Sequence, residues 1–249
     1  IKYYAVDRAL NAETAGAGQT FIFDATRPES KVTTPASGAK LNALSAIQGT
    51  ADDYPPTGKP WAVGVATTSL AVPPYDGVNI ALRSVSGGGF YNGANWSSGS
   101  HYWFTVSYSS TTKQWTRLTS ILGTFTGPGV PADGTYEIIP RAIDNARNFE
   151  VAYATRTFIW DTTAPESFTT YPASGSFVAT ISQITGTAYD ATAGAKESRV
   201  RFYYTSGSDY YWTGSSWTTN AHDLTHNIGG YVGVSTWTIS ITTGLVQGI

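Results

Sequence analysis

Cysteine and methionine are both absent from this chain of 249 residues. Without cysteine, disulfide bonds and thiolate chemistry are excluded, so any cross-link between elements has to be of another kind. Without methionine, we expect that Ile1 is not the first translated residue and that the chain is a processed product or part of a longer protein. The chain also has no run of about 18 apolar residues, so we expect no membrane-spanning helix.

Charge is scarce as well. Charged residues make up 13% of the chain and the formal net charge is −2, whereas about a quarter of the residues are charged in an average globular protein. This balance offers no electrostatic basis for binding nucleic acid or an anionic membrane. The polar residues are mostly uncharged hydroxyl and amide residues. Together with the expected processing, they lead us to expect an extracellular or cell-surface location.

The residues that are abundant favour β-structure. Hydrophobic residues make up 41% of the chain, with 16 Tyr and 8 Trp, and β-branched and aromatic runs alternate with Gly, Pro, Asn and Asp turn signals. No segment has a sustained helical period, so we predict an all-β fold of short strands. The predicted strands are 44–50, 78–85, 102–108, 114–120, 136–143, 151–160, 181–187, 199–205 and 235–243.

The most informative pattern is an internal repeat. Residues 20–53 recur at 157–190 with a constant separation of 137 residues, and residues 1–53 share 27 of 53 identities with 138–190. A fixed self-similarity of this kind is typical of a tandem array of like domains. We predict one complete domain at 25–161. A Pro-rich insertion, 54–75, distinguishes it from the next copy.

The repeat is out of phase with the chain. Residues 1–24 match the last strand pair of the complete repeat, whereas the copy at 162–249 lacks that pair. We predict that the strands at 1–24 are donated to a neighbouring molecule by strand addition, or that a longer array supplies the same strands covalently. The predicted assembly residues are Tyr3, Tyr4, Val6, Phe21, Ile22 and Phe23.

Seven or so short strands per repeat, without helices, favour a β-sandwich. Tyr136, two residues after Gly134, is interpreted as a tyrosine corner, in which the hydroxyl ties one end of a sandwich together, or as a cross-strand tyrosine. Two aromatic stretches, 90–96 and 211–217, each carry a Gly turn before a Trp and predict tight hairpins.

Four motifs recur in the same order in both copies. They are an F-x-x-D-x-T-x-P-x-S linker, a strand ending in G-T-A-x-D, an aromatic G-x-x-W hairpin and an R-A-x-D-x-A-x-N strand, whose Arg141 is replaced by Tyr4 in the other copy. Together they resemble bacterial immunoglobulin-like repeats of large extracellular adhesins, stalks and fibres. The resemblance covers essentially the whole chain and implies tandem sandwiches of about seven strands each.

Aspartates recur at the predicted junctions. They end the linker strands, close the D-x-A-x-N turns and follow the G-T-A strands, at Asp7, Asp24, Asp53, Asp144, Asp161 and Asp190. Since the repeats that this chain resembles rigidify their junctions with calcium, these positions are candidate calcium ligands. The alternative is that they cap turns by accepting backbone N–H groups. No other cofactor is expected.

Aromatic residues near the second hairpin offer a binding alternative. Tyr210, Tyr211, Trp212 and Trp217 would stack on sugar rings if exposed, or fill a core or subunit interface if buried. No nucleophile motif, paired acid and base, or metal-ligand spacing indicates catalysis, so we expect a protein that is not an enzyme.

The sequence therefore predicts a structural subunit of an extracellular filament, sheath or surface layer, with itself as partner. An adhesin segment or carbohydrate-binding module is the second hypothesis, with glycans as partners. An accessory region of a secreted enzyme is the third, and it requires a catalytic domain outside this chain.

Overall fold

The structure is a computed structural model that describes residues 1–54, 63–67, 77–122, 124–125 and 131–241. Most of the predicted insertion at 54–75, and the end of the predicted strand 235–243, lie outside these residues. The fold is all-β, as predicted, with one short helix, α1 (Thr119–Leu122), among the described residues. The strands are β1 (Glu29–Thr34), β2 (Ala39–Leu41), β3 (Ala46–Asp52), β4 (Val78–Ser84), β5 (Phe104–Thr105), β6 (Ser107–Ser109), β7 (Gln114–Leu118), β8 (Gly134–Ala142), β9 (Arg156–Trp160), β10 (Glu166–Tyr171), β11 (Gln183–Val200), β12 (Tyr203–Ser206), β13 (Ser208–Trp212), β14 (Trp217–Thr218) and β15 (Leu224–Ser240).

The chain divides into two compact units. The first comprises Ile1–Ala36, Leu44–Gly129 and Glu137–Arg156, and the second comprises Ser37–Ala43, Val130–Tyr136 and Thr157–Ile249. The domain boundaries 1–24, 25–161 and 162–249 remain a prediction from the repeat.

One sheet of the first unit is four-stranded, in the order β1-β3-β7-β6, with antiparallel pairs throughout. Its buried face carries Val32, Ile47 and Trp115, each at most 2% exposed. Gly49 on β3 pairs with Trp115 on β7, and a Cβ at Gly49 would overlap the Trp115 ring and the Lys31 carbonyl. Glycine is therefore required at this position so that the indole can lie across the sheet.

The second unit repeats this arrangement in the sheet β10-β11-β15. Gly186 pairs with Trp237, and a Cβ there would overlap the same two kinds of neighbour. Two strands are longer than predicted, since β11 and β15 have 18 and 17 residues. Of the strand predicted at 199–205, only the first two residues belong to β11 and the end forms β12. Residues 235–240 of the strand predicted at 235–243 belong to β15. The inward residues of β11 and β15, with the adjoining Ile241, form one apolar core: Ile184, Ala188, Ala195, Ile228, Trp237, Ile239 and Ile241.

A five-stranded sheet has the order β2-β9-β8-β4-β5, with β2 and β9 parallel. A three-stranded sheet, β12-β13-β14, contains the hairpin predicted at 211–217, with Trp212 opposite Trp217. Two predicted strands are shorter than expected: 102–108 breaks at Val106 into β5 and β6, and only the second half of 151–160 forms β9.

Of the two interpretations of Tyr136, the structure favours the tyrosine corner. Its hydroxyl donates a hydrogen bond to the carbonyl of Ala132, four residues upstream, at 2.6 Å. The ring is buried and lies 6.0 Å from the Phe158 ring. The tie therefore anchors the start of β8 to the loop before it.

Candidate functional site

Three aspartates from distant parts of the chain meet in the first unit. Asp24, Asp53 and Asp144 each place a carboxylate oxygen in a cluster whose oxygens all lie within 4.8 Å of one another. Asp53 and Asp144 are buried, and Asp24 is half-buried. Carboxylates this close repel one another unless a proton or a cation neutralises them. This cluster is the candidate metal site.

Asp144 is positioned by the turn that follows β8. Its Oδ1 accepts the backbone N–H of Asn148 at 2.8 Å, and its Oδ2 accepts the Asn148 amide at 2.7 Å. Arg147 has a φ of 69°, in the left-handed region that L-residues rarely adopt. The Asp-x-x-x-Asn spacing therefore closes a tight turn that aims the carboxylate inward.

Asp24 and Asp53 both hold a loop that crosses the cluster. Asp24 Oδ2 accepts the N–H of Val63 at 3.0 Å, and Asp53 Oδ2 accepts the N–H of Gly64 at 2.9 Å. The Asn145 amide donates to the carbonyls of the same two loop residues at 2.7 and 3.0 Å. Hydrogen bonds to both its N–H groups and its carbonyls therefore hold the Val63–Gly64 loop in place.

The electrostatics of the cluster single out Asp53. Burial raises the pKa of Asp53, the hydrogen bond from Gly64 opposes that shift, and the charges of Asp24 and Asp144 raise the pKa further. Burial also acts to raise the pKa of Asp24, but hydrogen bonds from Thr26 and Val63 leave it lowered. Asp53 Oδ1 is buried and has no hydrogen-bond partner among the residues that the structure describes, which is unusual for a carboxylate oxygen.

The donor set fits a calcium ion. Calcium binds carboxylate and carbonyl oxygens at about 2.3–2.6 Å, so oxygens on opposite sides of the ion lie up to about 5 Å apart. The carboxylate oxygens of the cluster lie within 4.8 Å of one another, close enough to contact one ion, and Asp53 Oδ1 accepts no hydrogen bond from the described residues. Asp24, Asp53 and Asp144 would hold the ion, which would neutralise their charge and cross-link three chain segments.

Two other predicted aspartates form a related arrangement in the second unit. Asp161 Oδ2 accepts the N–H of Ala193 at 2.9 Å, and Asp190 Oδ1 accepts the N–H of Gly194 at 2.6 Å. They correspond to Asp24 and Asp53 by the 137-residue separation. Here the Lys40 ammonium donates to the carbonyl of Ala193. Among the described residues, no third carboxylate joins this pair to make a metal-binding group.

Asp7, the sixth predicted ligand, lies apart in an exposed turn. Its Oδ1 and Oδ2 accept the backbone N–H and the amide of Asn11, each at 2.8 Å, and these bonds lower its pKa. Leu10 has a φ of 68°, nearly the value of Arg147. The Asp7 turn is therefore a copy of the Asp144 turn, and in this chain it caps backbone groups, as the alternative interpretation holds.

The similarity between the Asp7 turn and the Asp144 turn extends through the hairpins that carry them. Residues 1–19 form an antiparallel pair of extended segments joined by backbone hydrogen bonds, which include Glu13 N–H to Ala5 at 2.8 Å and Gln19 N–H to Ile1 at 2.7 Å. The bridge Val6–Ala12 matches the bridge Ile143–Phe149. Residues 1–24 are called the leading hairpin below.

The leading hairpin exposes its apolar side chains. All six predicted assembly residues are more than half exposed: Tyr3, Tyr4, Val6, Phe21, Ile22 and Phe23. Their counterparts at 138–160 are mostly buried, with Ile143, Phe158 and Trp160 at most 1% exposed. The same kind of strand pair is thus part of a core in one place and uncovered in the other.

The second unit has an uncovered edge that corresponds to this hairpin. Every residue of β10 is exposed, whereas β1 buries Ser30 and Val32 to 1%. Phe177 is fully exposed and Val178 is 44% exposed. We call β10 and Ser176–Val178 the open edge.

The predicted glycan contacts differ in burial. Trp212 is 4% exposed and packs on Trp217, with ring centroids 5.3 Å apart. Tyr210 stacks on Tyr204 at 5.1 Å, and Tyr211 lies 5.9 Å from Tyr203. Trp212 therefore belongs to the interior of the small sheet, and Tyr210, Tyr211 and Trp217 are half-buried.

Sequence reasoning missed two features. The first is Glu150, 4% exposed, which accepts hydrogen bonds from the backbone and hydroxyl of Ser30. Its available signal was the repeat, in which Glu13 matches Glu150 and Ser167 matches Ser30. The second is an aromatic cluster in which Trp103 stacks on His101 at 5.2 Å, with the Arg141 guanidinium 4.0 Å from the centre of the Trp103 ring. No spacing rule brings these residues together.

Within the described part of the chain, no helix combines the length and apolar character that crossing a lipid bilayer requires.

Comparison with known proteins identifies no family. No family model and no curated protein matches the chain. One solved structure that matches the chain is a tetra-tandem repeat in the extending region of a large adhesion protein. The TM-score is 0.32 and the identity 18%, over 97% of this chain and 48% of that one. The chain therefore spans about half the length of that structure.

Proposed function

We propose that this chain is a non-catalytic structural segment of an extracellular filament, sheath or surface layer. In this proposal, β-sandwich repeats assemble head to tail, and each open edge receives a strand pair from its neighbour. The observation that carries the proposal is the match between the leading hairpin and the hairpin at 138–150. Both have the Asp-to-Asn turn, the same bridge and the same backbone bonds, yet only one is covered.

Uncovered apolar strands favour association. An edge strand with unpaired backbone groups and exposed apolar side chains is a template for another strand. Strand addition combines main-chain hydrogen bonds with pockets for alternate side chains. Because the leading hairpin is already ordered by its own hydrogen bonds, the entropy cost of docking it is reduced.

The strand order supports repeats of the immunoglobulin type. The sheet β1-β3-β7-β6 and the run β9-β8-β4 have the order of strands A-B-E-D and G-F-C in such sandwiches. Tyr136 lies at the start of β8, the position of the tyrosine corner in strand F. The leading hairpin then corresponds to strands F and G of a repeat.

Head-to-tail contact of this type does not close on itself, so it propagates into a linear polymer. The test compares the full chain with a variant that lacks residues 1–23 and keeps Asp24, which holds the Val63 loop. The two are compared by analytical ultracentrifugation over a range of concentrations and by electron microscopy. We expect concentration-dependent linear oligomers of the full chain and monomers of the truncated variant, which should keep its β-sheet circular dichroism. A full chain that stays monomeric at every concentration would contradict the proposal.

A second candidate function is glycan binding by an adhesin segment. It is favoured by Tyr203, which is 57% exposed, and by Tyr211, over which the Arg201 guanidinium lies 5.7 Å from the ring centre. Aromatic faces beside a charged group suit sugar rings. Titration with a panel of oligosaccharides, followed by tyrosine and tryptophan fluorescence, should show a signal that Tyr211→Ala removes. No signal from any sugar would exclude this role.

A further inference from the structure

The covered repeat contains a carboxylate clamp. Glu150 Oε1 accepts the N–H of Ser30 at 3.0 Å, and its Oε2 accepts the Ser30 hydroxyl at 2.5 Å and the N–H of Ala142 at 2.9 Å. Glu150 and Ser30 are 4% and 1% exposed. A buried carboxylate is tolerated only where such donors surround it. The clamp therefore joins β1 to the hairpin at one register.

The leading hairpin carries one half of the same clamp. Glu13 occupies the position of Glu150, and its Oε2 accepts the N–H of Ala5 at 3.2 Å, as Glu150 does from Ala142. Among the described residues, this is the only hydrogen bond of the Glu13 side chain, which is exposed. The half of the clamp that would contact a strand like β1 is open.

The open edge carries the other half. Ser167 corresponds to Ser30, and it pairs with Ala188 as Ser30 pairs with Ala51. The register matches along the whole strand, including a bulge at the same place. Ser167 is exposed, and its hydroxyl makes no hydrogen bond to any residue that the structure describes.

We propose that Glu13 of one molecule clamps Ser167 of a second copy and thereby sets the register of the donated hairpin. By analogy with Glu150, Glu13 Oε1 takes the N–H of Ser167, and Glu13 Oε2, which already accepts the N–H of Ala5, also takes the Ser167 hydroxyl. This inference rests on the proposed function and specifies its contact.

The register has further consequences. Ala154 bridges Lys31 in parallel in the covered repeat, so Ala17 lies opposite Phe168 in the contact between copies. Likewise, Phe158–Trp160 pair in parallel with Ala39–Leu41, so Phe21–Phe23 lie beside Ser176–Val178. This pairing covers Phe177, which is otherwise fully exposed.

The clamp also discriminates against other registers. Because side chains alternate between the two faces of a strand, a slip by one residue would turn Glu13 away from Ser167. A slip by two residues would bury its carboxylate without donors, which is costly. Glu13 is thus a register-determining residue.

The first experiment uses the natural absence of cysteine. The double variant A17C/F168C, oxidised during assembly, should form a ladder of disulfide-linked multimers on a non-reducing gel. The matched control A15C/F168C, displaced by two residues, should form little. Equal ladders from both variants would overturn the register, and a cyclised monomer of A17C/F168C would overturn the second copy as the partner.

The second experiment measures the clamp itself. Glu13→Ala should weaken association about 10–100-fold, because a hydrogen-bonded charge is lost, and Ser167→Ala about 5-fold. The double variant should associate no more weakly than Glu13→Ala alone, since both remove one interaction. Thr14→Ala is the control, because Thr14 corresponds to Val151, which stays 61% exposed in the covered repeat.

The outcomes separate the two proposals. If deletion of residues 1–23 abolishes association but Glu13→Ala leaves it unchanged, the clamp is wrong and the proposed function stands. Additive losses from Glu13→Ala and Ser167→Ala would also overturn the clamp. If the full chain and the deletion variant are both monomeric, the proposed function fails and the clamp fails with it. Glu13 is exposed in the single chain, so circular dichroism should show a normal fold for its variants.

Discussion

Strands β1 and β10 have the same place in the repeat and opposite environments. Both begin with Glu-Ser, both end before a cis proline, and both pair with the next long strand in the same register. Ser30 is 1% exposed and Ser167 is exposed. The difference arises from the hairpin that lies along β1. Burial in this molecule therefore depends on which strand pair covers an edge, and not on the local sequence of the edge.

The largest expected effect concerns a contact that both units share, in which a glycine packs against a tryptophan ring. Gly49→Ala and Gly186→Ala should each destabilise their unit by about 3 kcal/mol or more, because a Cβ would overlap the Trp ring and a backbone carbonyl. Urea denaturation followed by tryptophan fluorescence measures this. We expect similar losses in both units, since neither core contact involves the hairpin.

Gly38→Ala is a suitable control, because a Cβ there meets no atom within 4 Å although φ is positive. Its cost should be smaller than that of Gly49→Ala. A large loss for Gly49→Ala with none for Gly186→Ala would show that the two glycine–tryptophan pairs are not equivalent.

The next largest effect concerns the aspartates of the two units. Three carboxylates cluster in the first unit, whereas Asp161 and Asp190 form a pair in the second. Calcium at about 100 times its dissociation constant should raise the free energy of unfolding by about 2.7 kcal/mol if the Asp24, Asp53 and Asp144 site binds it. Differential scanning calorimetry with calcium and with a chelator should show this shift. Asp53→Asn should remove it, because the carboxylate is lost as a charged ligand, including the Oδ1 that has no hydrogen-bond partner in the described part of the chain.

Asp190→Asn is the matched control for that variant, since Asp190 corresponds to Asp53 in the second unit. It should leave most of the calcium shift in place. An unfolding temperature that does not respond to calcium or chelator would remove the metal site and leave turn capping as the role of these aspartates.

Substitution of Glu150 in the covered hairpin and of Glu13 in the leading hairpin compares the same residue in a buried and an exposed environment. Glu150→Ala should destabilise the chain by about 1–3 kcal/mol, because it leaves buried donors of Ser30 and Ala142 unsatisfied. Glu13→Ala should leave the stability of the monomer nearly unchanged, because Glu13 is exposed. Chemical denaturation at low protein concentration measures both, and equal losses would contradict the comparison.

Glu150 and Glu13 should also differ in how they make the stability of the fold depend on pH. Burial raises the pKa of Glu150 above its usual value, although hydrogen bonds from Ser30 and Ala142 oppose the shift. Because the folded-state pKa of Glu150 is raised, protonated Glu150 contributes to the stability of the fold at pH below the ordinary glutamate pKa. This contribution is lost as the pH rises through the raised value. Glu150→Gln should flatten this part of the stability profile from pH 4 to 8, whereas Glu13→Gln should leave it unchanged.

Much of the fold followed from the sequence because the repeat itself is strong evidence. The tyrosine corner at Tyr136 and the hairpin at Trp212 and Trp217 each join residues that lie close together along the chain. The length of β11 and β15 was missed because turn residues such as Gly194 and Gly233, both with positive φ, lie inside the strands.

The candidate site was predicted only in part. The sequence marks the six aspartates but not which of them meet, because Asp24, Asp53 and Asp144 come from segments up to 120 residues apart. Glu150 went unrecognised for a similar reason, since its partner Ser30 lies 120 residues away. Long-range pairs of this kind are set by sheet order, which repeat spacing does not specify.

The smallest expected effect concerns the two copies of the Asp-to-Asn turn. Arg147 and Leu10 have φ values of 69° and 68°, where a side chain is strained and glycine is not. Arg147→Gly should relieve that strain at the cost of a more flexible unfolded chain, so we expect a net gain of at most about 1 kcal/mol. Urea denaturation of the monomer measures it. Leu10→Gly should give no gain in the same experiment, because the leading hairpin is uncovered there, but it should tighten association if that hairpin is donated. A gain in monomer stability from Leu10→Gly equal to that from Arg147→Gly would mean that the leading hairpin is already part of the cooperative core of its own chain.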